Sequence, residues 1–94
     1  MSPKLTVLGP DDADDVCQHV IQRWTPAPGH PTARNKKLSE LGIAVDADLL
    51  ILVNQLVDAV KEKHCTLDPN TLSIVTIGST YGAMADIVEL APRQ

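Results

Sequence analysis

Residues 49–60 constrain this chain more than any other stretch. Leu49, Leu52, Val53, Leu56 and Val60 recur at three- and four-residue steps, which puts them on one face of an α-helix. Leu50 and Val57 sit seven apart and widen the stripe, so the helix is expected to be covered by neighbours on more than one side. Asp46 or Asp48 is placed to cap its start, where a short carboxylate accepts the free N–H groups of the first turn. Lys61 and Lys63 fall in its last turn, where a cation suits the helix dipole. The spacing therefore predicts a central helix over about 48–63, with other helices packed around it.

Composition sets what that packing can be made of. Hydrophobic residues are 44% of the 94-residue chain, enough for one core in a single domain spanning 1–94. Aromatics are 2%, one Trp and one Tyr without any Phe, so the core must be aliphatic. The net charge of -4 argues against unaided nucleic-acid binding, which calls for a basic surface. The longest uninterrupted apolar run, Leu49 to Val53, is far short of the roughly 20 residues of a membrane span, so no membrane partner is expected. The first residues lack the basic start and apolar stretch of a secretory signal, which makes a cytoplasmic location the expectation. Cys17 and Cys65 are too few for a disulfide framework and read as free thiols of a reduced compartment.

Ahead of the central helix, Leu5, Val7 and Leu8 suggest a short extended arm or frayed lead-in, punctuated by Gly9-Pro10. Asp11, Asp12, Asp14 and Asp15 precede Val16, Val20, Ile21 and Trp24 at helical spacing, predicting a helix over about 11–24. Four aspartates in five residues invite a cation site. A calcium loop, however, needs a glycine and a downstream glutamate at set spacing, and a charged helix start explains the cluster better. Pro26, Pro28 and Pro31 with Gly29 stop the helix and open a long connection to about Val45. Arg34, Lys36 and Lys37 make its middle basic, a patch suited to an acidic partner or a phosphate or, more simply, to solvent. Leu38, Leu41 and Ile43 should anchor its end to the core. Beyond the central helix, Asp68-Pro69 is a helix-start signal for a short helix over about 69–74. Ser79 or Thr80 can cap a last helix over about 79–90, with Tyr81, Met84, Ile87 and Val88 as its apolar stripe and Pro92 as its stop. The result is an all-α bundle of three main helices plus one short helix, with a long first loop.

That order of elements, with these residues, resembles the acyl carrier protein family over roughly Asp11 to Glu89. Leu41-Gly42 stands directly before the central helix. Asp48-Leu-Leu-Ile-Leu-Val-Asn-Gln-Leu56 is similar to the family's recognition helix. Thr76-Ile77-Gly78 is close to the Thr-Val-Gly that opens the family's last helix. The resemblance implies an acyl-carrier-like bundle, a non-enzymatic role in a fatty-acid, polyketide or related pathway, and a protein partner that is a synthase, ligase or transferase of that pathway.

The departure from the family is as informative as the match. Carrier proteins hold a 4'-phosphopantetheine arm on the serine of an Asp-Ser-Leu motif at the start of the central helix. Here the corresponding residues are Ile43-Ala44-Val45-Asp46-Ala47. Alignment by the helix leucines puts Asp46 at the serine position, and alignment from Leu41-Gly42 puts Val45 there. Neither has a hydroxyl, and the arm's phosphodiester needs a serine oxygen. No cofactor is therefore expected. The negative charge of Asp46 could stand in for part of the arm's phosphate, although helix capping is the plainer role. Ser39, seven residues before Asp46, is a weak alternative attachment point that would restore 4'-phosphopantetheine as cofactor. Ser73 and Ser79 lie still farther from the helix start that a loading transferase reads. The family's recognition helix is usually acidic outside, whereas Leu50, Ile51, Asn54 and Gln55 leave this one less charged. Asp46, Asp48, Leu50, Ile51 and Asn54 are accordingly the candidate partner-binding residues, and an apolar exposed strip among them would suit a protein contact, including a homodimer. An unrelated small helical interaction or dimerisation module remains the alternative.

Other chemistry finds little support. His64-Cys65 lacks a glycine-rich elbow, and Cys17 and His19 are two apart on a helix and share no face. Zinc needs about four ligands with tight pairs such as Cys-x-x-Cys, and none is present. Gly78-Ser79-Thr80-Tyr81-Gly82 lacks the lysine of a phosphate-binding loop. No catalytic residues are assigned.

Overall fold

The computed structural model describes residues 6–24, 32–43, 47–72 and 79–94. Among them the regular structure is helical: α1 (Pro10–Ile21), a 3-10 turn (Leu38–Leu41), α2 (Ala47–Glu62), the four-residue α3 (Pro69–Leu72) and α4 (Tyr81–Glu89). The only β pairing among these residues is in isolated bridges.

Helix α1 begins with Pro10 in its first turn, where the missing N–H costs nothing, and Asp11 and Asp12 lie against the positive end of the dipole. It ends at Ile21, before the expected 24. Arg23 N–H donates to the Val20 carbonyl (3.4 Å) and Trp24 N–H to the Ile21 carbonyl (2.9 Å), so the last turn tightens ahead of Thr25-Pro26. Trp24 lies beyond the helix and packs half-buried against the core.

The first connection holds the 3-10 turn that the sequence pattern did not disclose. Lys37 N–H donates to the Glu40 carboxylate (3.0 Å), and Gly42 closes the turn in the left-handed region at φ 86°. Ile43 N–H then reaches back to the Leu38 carbonyl (3.3 Å), satisfying an end that would otherwise be orphaned. Leu38 and Ile43 are buried and Leu41 packs on the core. The connection crosses to the start of α4: Leu38 N–H donates to the Ser79 carbonyl (2.9 Å), and Tyr81 N–H to that of Lys36 (2.7 Å).

Helix α2 buries Leu52, Val53, Leu56 and Val60, with Leu49, Val57 and Ala59 half-buried. Cover does not extend as far round the helix as the wide stripe suggested. Leu50 is 64% exposed and heads a solvent-facing ridge with Asn54, Asp58 and Lys61, because α1 and α3 occupy the other side. The helix stops with His64 at φ 62°, and Cys65 N–H reaching back to the Val60 carbonyl (3.0 Å). Asp68 caps α3 through its carboxylate, which accepts from Asn70 N–H (2.9 Å). Thr80 caps α4, its hydroxyl accepting from Ala83 N–H (3.2 Å).

Helix α1 packs on α2 and α4, while α3 bridges α2 and α4. Among the described residues, twenty buried apolar ones form one cluster in which Tyr81 is the sole aromatic, in keeping with the composition. The chain ends are tied in beside it. Leu8 N–H donates to the Ala91 carbonyl (2.9 Å) and Arg93 N–H to that of Thr6 (3.0 Å), while Thr66 N–H donates to Pro92 (2.9 Å). The extended arm at Thr6–Leu8 and the loop after α2 therefore flank the last residues on either side. No helix of the described residues is long and apolar enough to cross a membrane.

Candidate partner-binding surface

The N-terminal half of α2 offers the most distinctive exposed surface. Leu50 projects there with Asn54 exposed one turn on, while Asp48 and Ile51 are half-buried beside them. Asp46 lies outside the described residues. Leu50 is one of two large apolar side chains left strongly exposed among these residues, the other being Leu90 at 65% after α4. Leu50 shares the i, i+4, i+8 series of Asn54 and Asp58, which gives the ridge its otherwise hydrophilic character, although its spacing to Val57 had placed it in the apolar stripe. Ser39 is also exposed, in the 3-10 turn, with its carbonyl accepting from Gly42 N–H (3.2 Å).

The remaining motifs resolve into structural roles. The acidic start of α1 is dispersed among three separate partners. Asp12 pairs with Arg93 (3.8 Å), Asp15 pairs with Lys63 (3.7 Å), and Asp14 accepts a hydrogen bond from the Tyr81 hydroxyl (2.8 Å). Carboxylates that diverge in this way form no common coordination sphere, and no three His, Cys, Asp or Glu among the described residues gather closely enough to hold a metal. His64 is exposed and Cys65 fully buried, so that pair diverges, as do buried Cys17 and exposed His19.

Burial pushes the Cys17 thiol up to about 12, with a smaller contribution from the Asp14 charge. A thiol so disfavoured as thiolate is a poor nucleophile. Tyr81 is likewise raised, first by burial and then by its hydrogen bond to Asp14. Both groups belong to the seam between α1 and α4.

The basic stretch of the first connection is partly neutralised. Arg34 forms an ion pair with Asp86 on α4 and donates to the Gly82 carbonyl (3.2 Å), while Gly82 N–H donates to the Arg34 carbonyl (2.9 Å). The pairing with Asp86 raises the Arg34 pKa further. Gly82 thus seats the connection on the helix. This contact was missed in the sequence, where Arg34 and Gly82 stand 48 positions apart.

The chain matches no family model, and no curated protein or solved structure was found to match it.

Proposed function

We propose that the chain is an acyl-carrier-like protein without the phosphopantetheine arm, acting as a non-enzymatic partner that binds a synthase, ligase or transferase of a carrier-dependent pathway. The observation that carries this reading is a conjunction. A long first connection leads from α1 to a central helix, followed by a short helix and a closing one, yet residues 43–48 contain no hydroxyl to which an arm could be joined. The exposed Leu50 and Asn54, with half-buried Asp48 and Ile51, are offered to the partner, and Asp46 precedes them in sequence. A surface led by an isolated leucine and an amide suits a partner whose contact is less electrostatic than that of ordinary carriers.

Incubating the purified protein with coenzyme A and a broad-specificity phosphopantetheinyl transferase, followed by intact-mass measurement, tests the reading. An unchanged mass is expected. A gain of one arm would overturn the loss of the attachment site. If Ser39→Ala then abolished the gain, the second reading, a functional carrier loaded on exposed Ser39, would take its place.

A further inference from the structure

Helices α1 and α2 meet along a seam whose charges are treated differently at two levels. At one level Asp15 of α1 and Lys63 after α2 close across the seam at 3.7 Å. Asp15 at the middle of α1 thus meets the residue just after α2, whereas residues farther along α1 face residues earlier in α2, so the two helices run antiparallel. At the other level the polarity is reversed and the seam stays open. His19 and Arg23, one turn apart on α1, line one wall of a groove of about 350 Å³. Asp58 and Glu62, one turn apart on α2, line the other. Among the described residues no ion pair joins the two walls. Buried Val20 and half-buried Ala59 lie between them, and Gln55 adds an amide. The small side chain of Ala59 leaves space where a leucine would fill it. The Arg23 guanidinium lies 5.8 Å from the centre of the Trp24 ring, a cation–π contact that steadies it at the rim.

We propose that this groove is a binding site for a compact zwitterion of the free amino-acid type, independent of the carrier-like reading. Its carboxylate meets the forked donors of Arg23, with His19 beside them. Its ammonium meets Asp58 and Glu62, and its side chain rests on Val20 and Ala59. A ligand with only one charge would satisfy one wall and leave the other unanswered. The volume is at the small end of ligand sites and fits a molecule of this size. The groove is open to solvent, so screening keeps the binding weak.

The test is a titration of the full chain with glycine, L-alanine and L-leucine, followed by amide chemical shifts. The same titration uses N-acetyl-L-leucine, which keeps only the anion, and L-leucinamide, which keeps only the cation. Shifts confined to the seam around residues 19–23 and 55–62 are expected with the amino acids. Both singly charged analogues should bind at least about tenfold more weakly, as loss of a charge-assisted hydrogen bond implies. Arg23→Gln and Asp58→Asn should each weaken binding to a similar degree. Ala59→Leu, which removes no charge, should block it while the spectrum stays that of a folded chain. The proposal is overturned if none of the amino acids moves these amides, if a singly charged analogue binds as well as leucine, or if folded Ala59→Leu binds undiminished.

Discussion

Replacing Gly82 by alanine sets two rules of helix stability against each other. Gly82 is the second residue of α4, and by intrinsic propensity Gly→Ala inside a helix gains roughly 0.5–1 kcal/mol. The surroundings point the other way. A Cβ at this position would lie 2.8 Å from the Arg34 carbonyl oxygen and 3.0 Å from the Arg34 Cβ. Ordinary contact begins at 3.4 Å, so the carbonyl must retreat by 3.4 − 2.8 = 0.6 Å. That oxygen accepts the Gly82 N–H at 2.9 Å, and the Arg34 guanidinium returns a bond to the Gly82 carbonyl at 3.2 Å, so relief of the clash strains both. Overpacking of this kind costs about 1–3 kcal/mol, and weakening a hydrogen bond about 0.5–1.5 kcal/mol. After subtraction of the propensity gain, Gly82→Ala should destabilise the fold by about 0.5–4 kcal/mol, centred near 2 kcal/mol. Urea unfolding with an unchanged slope reads this as a lower midpoint. Because the obstacle is backbone, the penalty should persist in an Arg34→Ala background. A variant as stable as the parent, or more stable, would refute the seating of the connection on α4.

Three further outcomes follow from the same packing. The Cys17 thiol rises from an ordinary 9.0 to about 12 on folding, so its contribution to stability is complete below pH 9 and is lost as pH climbs toward 12. Unfolding free energy should therefore fall between pH 9 and 10, before Tyr81 adds its own loss, and Cys17→Ala should flatten that slope; an unchanged slope would count against burial of the thiol. His64 occupies the left-handed region at φ 62°, which costs a residue with a Cβ about 1 kcal/mol, so His64→Gly should stabilise the protein by up to about that amount in thermal or urea melts. Leu50→Asp should shift stability by no more than about 0.5 kcal/mol, whereas Leu52→Ala, two positions away and 1% exposed, should cost about 2–5 kcal/mol. Equal costs for the two would mean that α2 is rotated from its described orientation.

Much of the helical content was legible because period and punctuation agreed. The 3- and 4-residue recurrence of Leu49, Leu52, Val53, Leu56 and Val60 marks α2, and Asp68-Pro69 and Thr80 mark the starts of α3 and α4. The end of α1 was less readable, since Trp24 continues the apolar spacing although the chain has already left the helix at Ile21. The 3-10 turn at Leu38–Leu41 was hidden because four residues are too few to show a period, and its evidence is the left-handed Gly42. Leu50 was ambiguous for a different reason. Its spacing to Val57 suggests burial and its spacing to Asn54 suggests exposure, and only the positions of α1 and α3 decide between them. The Arg34–Gly82–Asp86 contact and the open charge walls of the α1/α2 seam join residues distant in sequence, so neither leaves a local signature.

We propose that the chain keeps a carrier frame and lacks only the oxygen to which an arm attaches. Restoring that oxygen is the decisive perturbation. Asp46→Ser and Val45→Ser, the two positions that alignment to a carrier allows, are each incubated with coenzyme A and a broad-specificity transferase, and their intact masses are measured beside the parent. One serine variant should gain a single phosphopantetheine while the parent gains none. If neither variant is loaded while an ordinary carrier in the same mixture is, the start of α2 is not a carrier's attachment site and the carrier-like reading fails.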